Sequence, residues 1–278
     1  MKWLFVLFLA IIIFGGAAWF GYNFVFKQDI QVAKEQRGEV TPEPRIDLTL
    51  PEFEAAAKLR QEGKIPEARA ALTAFIQKYP SSPSADAAKD LLGEVNVSIF
   101  LSRTPSPEKE EYVVKPGDVL AKVARKVKTT PELIMRMNNM SGTMLHIGEH
   151  LLISHPDFSI VVQRKPKVLV LLNHGGFFKQ YHIQEEKLPA KAQSKVTTKV
   201  SEVMAWRDGK RVGFGTKEFI GSTRWIRLAS QTYTIYAVPD AAHQVVQPPP
   251  PQGIGLAAAD VEELSSLVNK QTPVTITD

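Results

Sequence analysis

The hydrophobic and polar positions form their clearest pattern between residues 111 and 154. An alternating run, Tyr112–Lys115, predicts a strand, and Pro116-Gly117 ends it with a sharp turn. Apolar residues then recur twice at helical spacing, and His150–Ser154 has the character of a second strand. The predicted order of elements is strand, helix, helix, strand.

Start signals mark both predicted helices of this segment. Asp118 occupies the position expected for the N-cap of the first helix. Thr130 is a capping residue for the second helix, followed by Pro131 at the first helical position and Glu132 in the first turn. The apolar positions are Leu120, Val123, Ala124 and Val127 in the first helix and Leu133, Ile134 and Met137 in the second.

The chain begins with a long apolar segment. Trp3–Phe26 contains Asn23 as its one strongly polar residue and is long enough to cross the hydrocarbon core of a bilayer as a helix. Small residues around Ala17 would also suit a cleaved secretory signal. Because the apolar run continues well beyond them, we predict an uncleaved transmembrane anchor over residues 1–27, with cleavage as the open alternative.

A linker and a helical segment follow this anchor. Residues 28–50 are charged and contain two prolines, which predicts an extended linker. Residues 51–103 show three apolar stripes at helical spacing, with Gly63 at the first turn and Pro80 after the second helix. This segment resembles a tetratricopeptide-type (TPR-like) helical hairpin of about one and a half repeats, which implies either a spacer or a surface for another envelope protein. A second linker is predicted at residues 104–110.

Residues 158–278 are predicted to form a mostly β domain with one late helix. Apolar runs bounded by turn residues mark the strands, and Ala257–Val268 carries apolar positions at helical spacing. The whole chain is therefore predicted to be a multidomain α+β protein. The predicted strands are Ser159–Gln163, Val168–Leu172, Phe177–Ile183, Trp225–Ala229, Tyr233–Val238 and Pro273–Thr277.

The segment 111–154 resembles a lysin motif (LysM), the small module with which bacterial proteins hold the glycan strands of peptidoglycan. The family implies a shallow groove that accepts the N-acetyl groups of GlcNAc-containing polymers. Val119 stands where threonine is common in the family, which removes a hydroxyl group from that groove. The resemblance rests on Tyr112, Val114, Gly117, Asp118, Leu120, Ala124, Leu133, Asn138, Gly148, Leu151 and Ile153. The glycan-binding residues that it implies are Gly117, Asp118, Val119, Leu120, Leu145, His146 and Ile147.

Three pieces of the C-terminal segment, FSIVVQRKPKVLVLLNHGGFFKQYHI, WRDGKRVGFGTKEFIGSTRWIRL and DVEELSSLVNKQTPVTI, resemble the catalytic domain of L,D-transpeptidases (YkuD type). Active members form a thioacyl intermediate on a cysteine, assisted by a histidine on a neighbouring strand. By position, the cysteine falls on Gly253, the arginine after it on Gly255 and the histidine on Tyr236. The resemblance therefore implies a degenerate domain, a pseudoenzyme with no catalytic residues.

Composition restricts the chemistry open to this chain. Its 278 residues include no cysteine, which excludes disulfides, thiol nucleophiles and cysteine-ligated metals. The net charge of +5 is spread along the chain and suits an anionic envelope polymer or a membrane surface, and no basic motif with interleaved aromatics indicates nucleic acid. We predict no cofactor and no metal, because His146, His150 and His155 lack a zinc-binding pattern.

The combined prediction is a single-pass protein of the bacterial inner membrane whose body lies in the periplasm or cell-wall space and binds peptidoglycan. Two alternatives stay open. An active L,D-transpeptidase relative would need an unrecognised nucleophile, and Ser230 with Asp240 and His243 lacks the glycine-flanked serine of a hydrolase elbow. A tetratricopeptide-type assembly scaffold would carry its function on residues 51–103.

Overall fold

The computed structural model describes residues 47–103, 106, 108–188, 195–230, 233–239 and 252–278. Within that part of the chain, no helix is long and apolar enough to cross a membrane. The predicted anchor within residues 1–27 lies outside the described residues, as do Asp240 and His243. Thr49–Asp278 form one compact unit.

Three helices come first: α1 (Leu50–Gln61), α2 (Ile65–Lys78) and α3 (Ala85–Leu101). The first two carry a proline in the first turn, where the backbone N–H groups have no partner within the helix, so the missing N–H of proline costs no hydrogen bond. Gly63, at φ +76°, reverses the chain between them. Small alanines at the helix crossings let the three apolar stripes pack closely, with α2 against both α1 and α3. The buried residues of this cluster are Ala56, Ala68, Leu72, Phe75, Ala88, Leu92 and Val95.

The next four elements are β1 (Lys109–Val113), α4 (Leu120–Lys126), α5 (Pro131–Met137) and β2 (His150–Ser154). The two strands pair antiparallel, with Tyr112 opposite Leu151. Thr130 caps α5 as predicted, because its Oγ1 accepts the Leu133 N–H at 2.9 Å. The predicted order of strand, helix, helix and strand is confirmed.

Two details at the start of this module differ from the prediction. Asp118 is not the N-cap of α4, since Val119 holds that position. The Asp118 carboxylate instead accepts hydrogen bonds from the Lys115 N–H at 2.9 Å and from the Tyr112 hydroxyl at 2.7 Å. It therefore closes the turn, and β1 ends at Val113 rather than Lys115.

The C-terminal segment follows most of the predicted pattern but adds four strands to it. The unpredicted strands are short or, in β7, rich in Lys, Thr and Ser, so their apolar alternation is weak. In chain order the strands are β3 (Phe158–Gln163), β4 (Val168–Asn173), β5 (Gly176–His182), β6 (Glu185–Lys187), β7 (Lys195–Arg207), β8 (Lys210–Val212), β9 (Thr223–Leu228), β10 (Thr234–Ala237), β11 (Gly253–Leu256) and β12 (Pro273–Thr277), with α6 (Ala258–Leu267) before the last. Those absent from the prediction are β6, β7, β8 and β11.

In the described residues these strands join in the order β5-β4-β3-β12-β7-β9-β10-β11-β6, with β8 paired to β7. Neighbours run antiparallel except β12 with β3 and β10 with β11, which are parallel. The hairpins at His174-Gly175 and Asp208-Gly209 both use two left-handed residues, which matches the twist of the flanking strands. α6 packs across β9 and β10.

The helical segment packs against the sheet through α3. The rings of Phe100 and Phe178 meet edge to face, with centroids 5.5 Å apart, and Asn96 Nδ2 donates to the Phe178 carbonyl at 2.7 Å. Gly93 lies so close to β5 that a Cβ at this position would be 2.7 Å from Lys179 Cγ. The sequence did not predict this contact.

The LysM-like segment is joined to the same core. Leu133 and Met137 of α5 belong to one hydrophobic cluster with the strands of the C-terminal segment and with α3. Thr130 Oγ1 donates to the Ser266 carbonyl at 2.6 Å. The three segments of Thr49–Asp278 therefore contribute to one core.

Candidate functional site

The predicted glycan groove is formed by two loops that lie beside each other, one after β1 and one before β2. Val114 joins them: its N–H donates to the Glu149 carbonyl at 2.9 Å, and its carbonyl accepts the Gly148 N–H at 2.9 Å. These bonds extend the β1–β2 ladder into the loops. The structure therefore brings the two halves of the predicted groove together.

The predicted groove residues differ in exposure. Val119 is 51% exposed and Ile147 is 72% exposed, so both apolar side chains are open to a ligand. Gly117 and His146 are exposed as well. Leu120 is only 2% exposed and belongs to the core of the module, so its predicted place in the lining of the groove needs correction: it supports the first loop from below.

Asp118 and Leu145 order the two loops. The hydrogen bond from the Lys115 N–H has the largest effect on the pKa of Asp118 and lowers it, and the bond from the Tyr112 hydroxyl acts in the same direction. This carboxylate is therefore ionised at neutral pH. Leu145 is half-buried and packs against the core of the module. Both residues thus shape the groove mainly by fixing its walls.

Backbone donors complete the groove. In the described part of the chain, the N–H groups of Gly117, Val119 and Ile147 donate to no other group of the protein. Exposed N–H groups beside two apolar side chains match the two parts of an N-acetyl group, its carbonyl oxygen and its methyl.

The second region is where the transpeptidase resemblance implies a catalytic centre. β10 and β11 run parallel, which sets Tyr236 beside Gly255 and Thr234 beside Gly253. The structure therefore brings the three degenerate positions together on neighbouring strands.

Neither glycine of β11 has room for a side chain. A Cβ at Gly253 would lie 1.9 Å from the Thr234 carbonyl oxygen, and the residue has φ +151°, which L residues rarely adopt. A Cβ at Gly255 would lie 2.6 Å from Val238 Cγ2 and 3.1 Å from Tyr236 Cε2. This backbone therefore holds no nucleophilic side chain at either position.

Tyr236 fills the space beside Gly255. It is fully buried, and its hydroxyl donates to Glu185 Oε2 at 2.9 Å. Burial, reinforced by Glu185, raises the pKa of Tyr236 far above neutral, while hydrogen bonds from Lys187 and Tyr236 lower the pKa of Glu185. A protonated phenol that donates to a carboxylate is not a general base at neutral pH. The side chains that pack around it are Met204, Trp206, Trp225 and Val238.

The serine alternative receives no support from geometry. The Ser230 N–H donates to Thr198 Oγ1 at 2.9 Å, and the proposed partners Asp240 and His243 lie outside the described residues. An unrecognised nucleophile therefore stays a prediction.

A cleft that the sequence did not predict lies between α5 and residues 214–220, with a volume of about 730 Å³. Arg136 lies 3.2 Å from Glu262 and 3.5 Å from Glu132, and the buried Arg224 lies 3.5 Å from Glu132. Burial raises the pKa of Glu132 against the effect of both arginines, and burial lowers the pKa of Arg224. Glu132 and Arg136 are one helical turn apart on α5, whereas Arg224 and Glu262 come from distant parts of the chain, so no local sequence pattern indicates the whole network.

Comparison with protein families identifies one domain directly. Residues 112–154 match the LysM domain model, so the chain contains a LysM domain and the predicted resemblance is confirmed there. No curated protein matches the sequence significantly.

Solved structures show a second, more distant similarity. An L,D-transpeptidase from Mycobacterium smegmatis aligns with 47% of this chain and 64% of its own, at 11% identity and a TM-score of 0.31. L,D-transpeptidase 3 from Mycobacterium tuberculosis, with a faropenem-derived adduct, covers 47% of this chain and 65% of its own at 10% identity and a TM-score of 0.31. A variant of the Enterococcus faecium L,D-transpeptidase covers 43% and 49% at 15% identity and a TM-score of 0.30. The chain thus spans less than two thirds of these proteins and is similar to them in structure.

Proposed function

We propose that this protein binds peptidoglycan in the bacterial envelope and that its LysM domain holds GlcNAc-containing glycan. The observation that carries the proposal is the LysM match at residues 112–154, on a module whose two loops present Val119 and Ile147 to solvent. The N-acetyl methyl group would contact these two side chains, and the N–H groups between them would donate to the acetyl oxygen.

Point variants of the groove test this proposal. Val119→Ala and Ile147→Ala each remove exposed apolar surface, so each is expected to weaken binding of GlcNAc oligomers about fivefold without loss of stability. Met144→Ala is the matched control, because Met144 is 75% exposed on the same loop but outside the predicted groove. Co-sedimentation with purified sacculi and calorimetry with GlcNAc oligomers measure the effect. Equal affinity of all three variants and the parent protein would show that the glycan does not bind in this groove.

We propose further that the C-terminal domain performs no cysteine-based transpeptidation and serves as a binding or docking module. Support comes from the absence of cysteine in the whole chain and from the lack of space at Gly253 and Gly255. Cross-linking of peptidoglycan stem peptides by the purified protein is expected to be undetectable. Measurable cross-linking that survives replacement of Ser230 would require another nucleophile and would favour the enzyme alternative.

The cellular setting is part of the same proposal. Residues 1–27 would anchor the chain in the inner membrane, and the body would lie in the periplasm, where the LysM domain meets its ligand. Alkaline extraction should then leave the protein in the membrane pellet with its N-terminal segment uncleaved. A protein partner of the helical segment would contact α1 and α2, since one face of α3 packs against β5.

A further inference from the structure

Three metal-ligating side chains meet where α3 packs against the sheet. Asp86 and Asp90 lie on α3 and His182 lies at the end of β5, and their ligand atoms are all within 4.8 Å of one another. Asp90 and His182 are 92 positions apart in the sequence, so no motif indicates the group. None of these three residues belongs to the predicted groove, to the β10–β11 region or to the lining of the cleft beside α5.

The arrangement of these side chains is that of a chelating group. Asp86 and Asp90 are one helical turn apart, so their carboxylates project from the same face of α3. His182 Nε2 lies 2.9 and 3.0 Å from the two oxygens of Asp90. Beneath them Gln180, which is 5% exposed, directs its amide to Asp86 Oδ1 at 2.9 Å and to Asp90 Oδ1 at 2.8 Å. An imidazole and two carboxylates from two different elements therefore converge on one point.

The distance between these two elements is fixed by packing. Gly93 allows α3 to approach β5 to within contact of Lys179, and the Asn96–Phe178 hydrogen bond holds the helix in register with the strand. A site built on a helix and a strand with this support has its ligands positioned before a metal arrives, which reduces the entropy lost on binding.

We propose that Asp86, Asp90 and His182 bind a divalent transition metal ion of the Zn²⁺ type. Three protein ligands of mixed nitrogen and oxygen character, with a remaining position for water, suit Zn²⁺. Ca²⁺ and Mg²⁺ are disfavoured because they require more oxygen ligands and no imidazole. Gln180 would hold the two carboxylates in place through its amide N–H groups.

A proton competes with the metal for this site. The hydrogen bond from His182 Nε2 to the Asp90 carboxylate raises the pKa of His182, and Asp86 on α3 and Asp260 on α6 act in the same direction. Lys179 on β5 and Glu263 on α6 form an ion pair at 2.7 Å beside the site. Because a metal binds the unprotonated imidazole, the affinity for Zn²⁺ should fall as pH falls.

Titration of the purified full chain, without a polyhistidine tag, with Zn²⁺ against a chromophoric chelator tests the proposal. One equivalent is expected to bind. Asp90→Asn and His182→Gln should each weaken binding by at least about tenfold, because replacing residues that only support metal ligands already costs about that much affinity. His155→Gln is the matched control, because His155 pairs with Glu110 at 2.8 Å and its side chain is 53% exposed against 54% for His182.

Two further readouts separate a site from a general effect of folding. Zn²⁺ should raise the thermal unfolding midpoint of the parent protein and of His155→Gln but not that of His182→Gln. Bound Co²⁺ should give the visible absorption of a low-coordinate site with nitrogen and oxygen ligands. Equal Zn²⁺ affinity in the His182→Gln and parent proteins, or an equal loss in the His155→Gln control, would overturn the proposal, and so would the absence of stoichiometric binding in the parent.

Discussion

At the scale of single residues, whether a side chain that can cap a helix does so depends on the partners that the fold brings to it. The sequence predicts Asp118 as a helix cap, but its carboxylate accepts the Lys115 N–H and the Tyr112 hydroxyl and closes the turn before the helix. Thr130 Oγ1 accepts the Leu133 N–H, so Thr130 caps α5 as its sequence context predicts. Local signals therefore identify the residue that can cap, whereas the partner is decided by the fold.

A residue-scale prediction concerns His182 and the pH dependence of stability. Since its pKa is raised in the folded protein, the stabilisation is fully present below about pH 6.5, the ordinary value, and is lost as pH rises through the folded pKa. His182 is half exposed, so the change is expected to stay below about 1 kcal/mol.

Urea unfolding in the presence of a chelator, at about pH 6 and about pH 8, measures this change. His182→Gln should remove the part of the pH dependence that is due to the Asp90 pair, and His155→Gln serves as the comparison. An identical pH profile in the parent protein and in His182→Gln would show that the Asp90 pair does not stabilise the fold.

At the scale of elements, strands with a strong apolar pattern were predicted and strands without one were missed. β3, β4 and β12 lie within a residue or two of their predicted bounds. β7 was missed because polar residues dominate it and a bulge between Val200 and Glu202 interrupts its alternation. β11 was missed because Gly253 and Gly255 weaken any strand signal, although tertiary contacts hold the segment between β10 and β6.

An element-scale prediction follows from the contact between β10 and β11. Gly253→Ala should lower the free energy of unfolding by more than about 3 kcal/mol, because its Cβ would overlap the Thr234 carbonyl oxygen. Gly175→Ala is the control: Gly175 also has positive φ, but open space surrounds it, so about 1 kcal/mol of backbone strain is expected.

The same reasoning applies to an attempt to rebuild a catalytic centre. Gly253→Cys should destabilise the fold to the same degree and produce no transpeptidase activity, as measured by cross-linking of stem peptides. A stable Gly253→Cys protein with activity would show that β11 can move away from β10.

At the scale of the whole molecule, the parts were predictable and their assembly was not. The apolar positions of α3 and α5 were identified from helical spacing, but spacing does not reveal which surface covers them. Phe100 and Met137 enter the same core as the sheet strands. Contacts between residues so distant in sequence depend on shape complementarity that a one-dimensional pattern does not contain.

The shared core predicts a single unfolding transition for the described body. In the fragment Asp47–Asp278, Phe100→Ala should lower the free energy of unfolding by about 3–5 kcal/mol. The denaturant midpoint should fall by the same amount whether unfolding is followed by helical circular dichroism or by the fluorescence of Trp206 and Trp225. Phe53→Ala is the control, since Phe53 is half-buried among the helices and does not touch the sheet cluster. Two separate transitions in Phe100→Ala would contradict a common core.

The shared core of the LysM domain and the sheet also determines how the bound protein is oriented along a glycan strand. Since α5 is locked into the common core, a glycan strand held in the groove would fix the orientation of the helices, the sheet and the Asp86–Asp90–His182 cluster at the same time. The two walls of the groove are unlike, and a glycan strand has two distinguishable ends. The bound protein would therefore face one way along the strand and present its remaining surfaces to one side of the wall polymer.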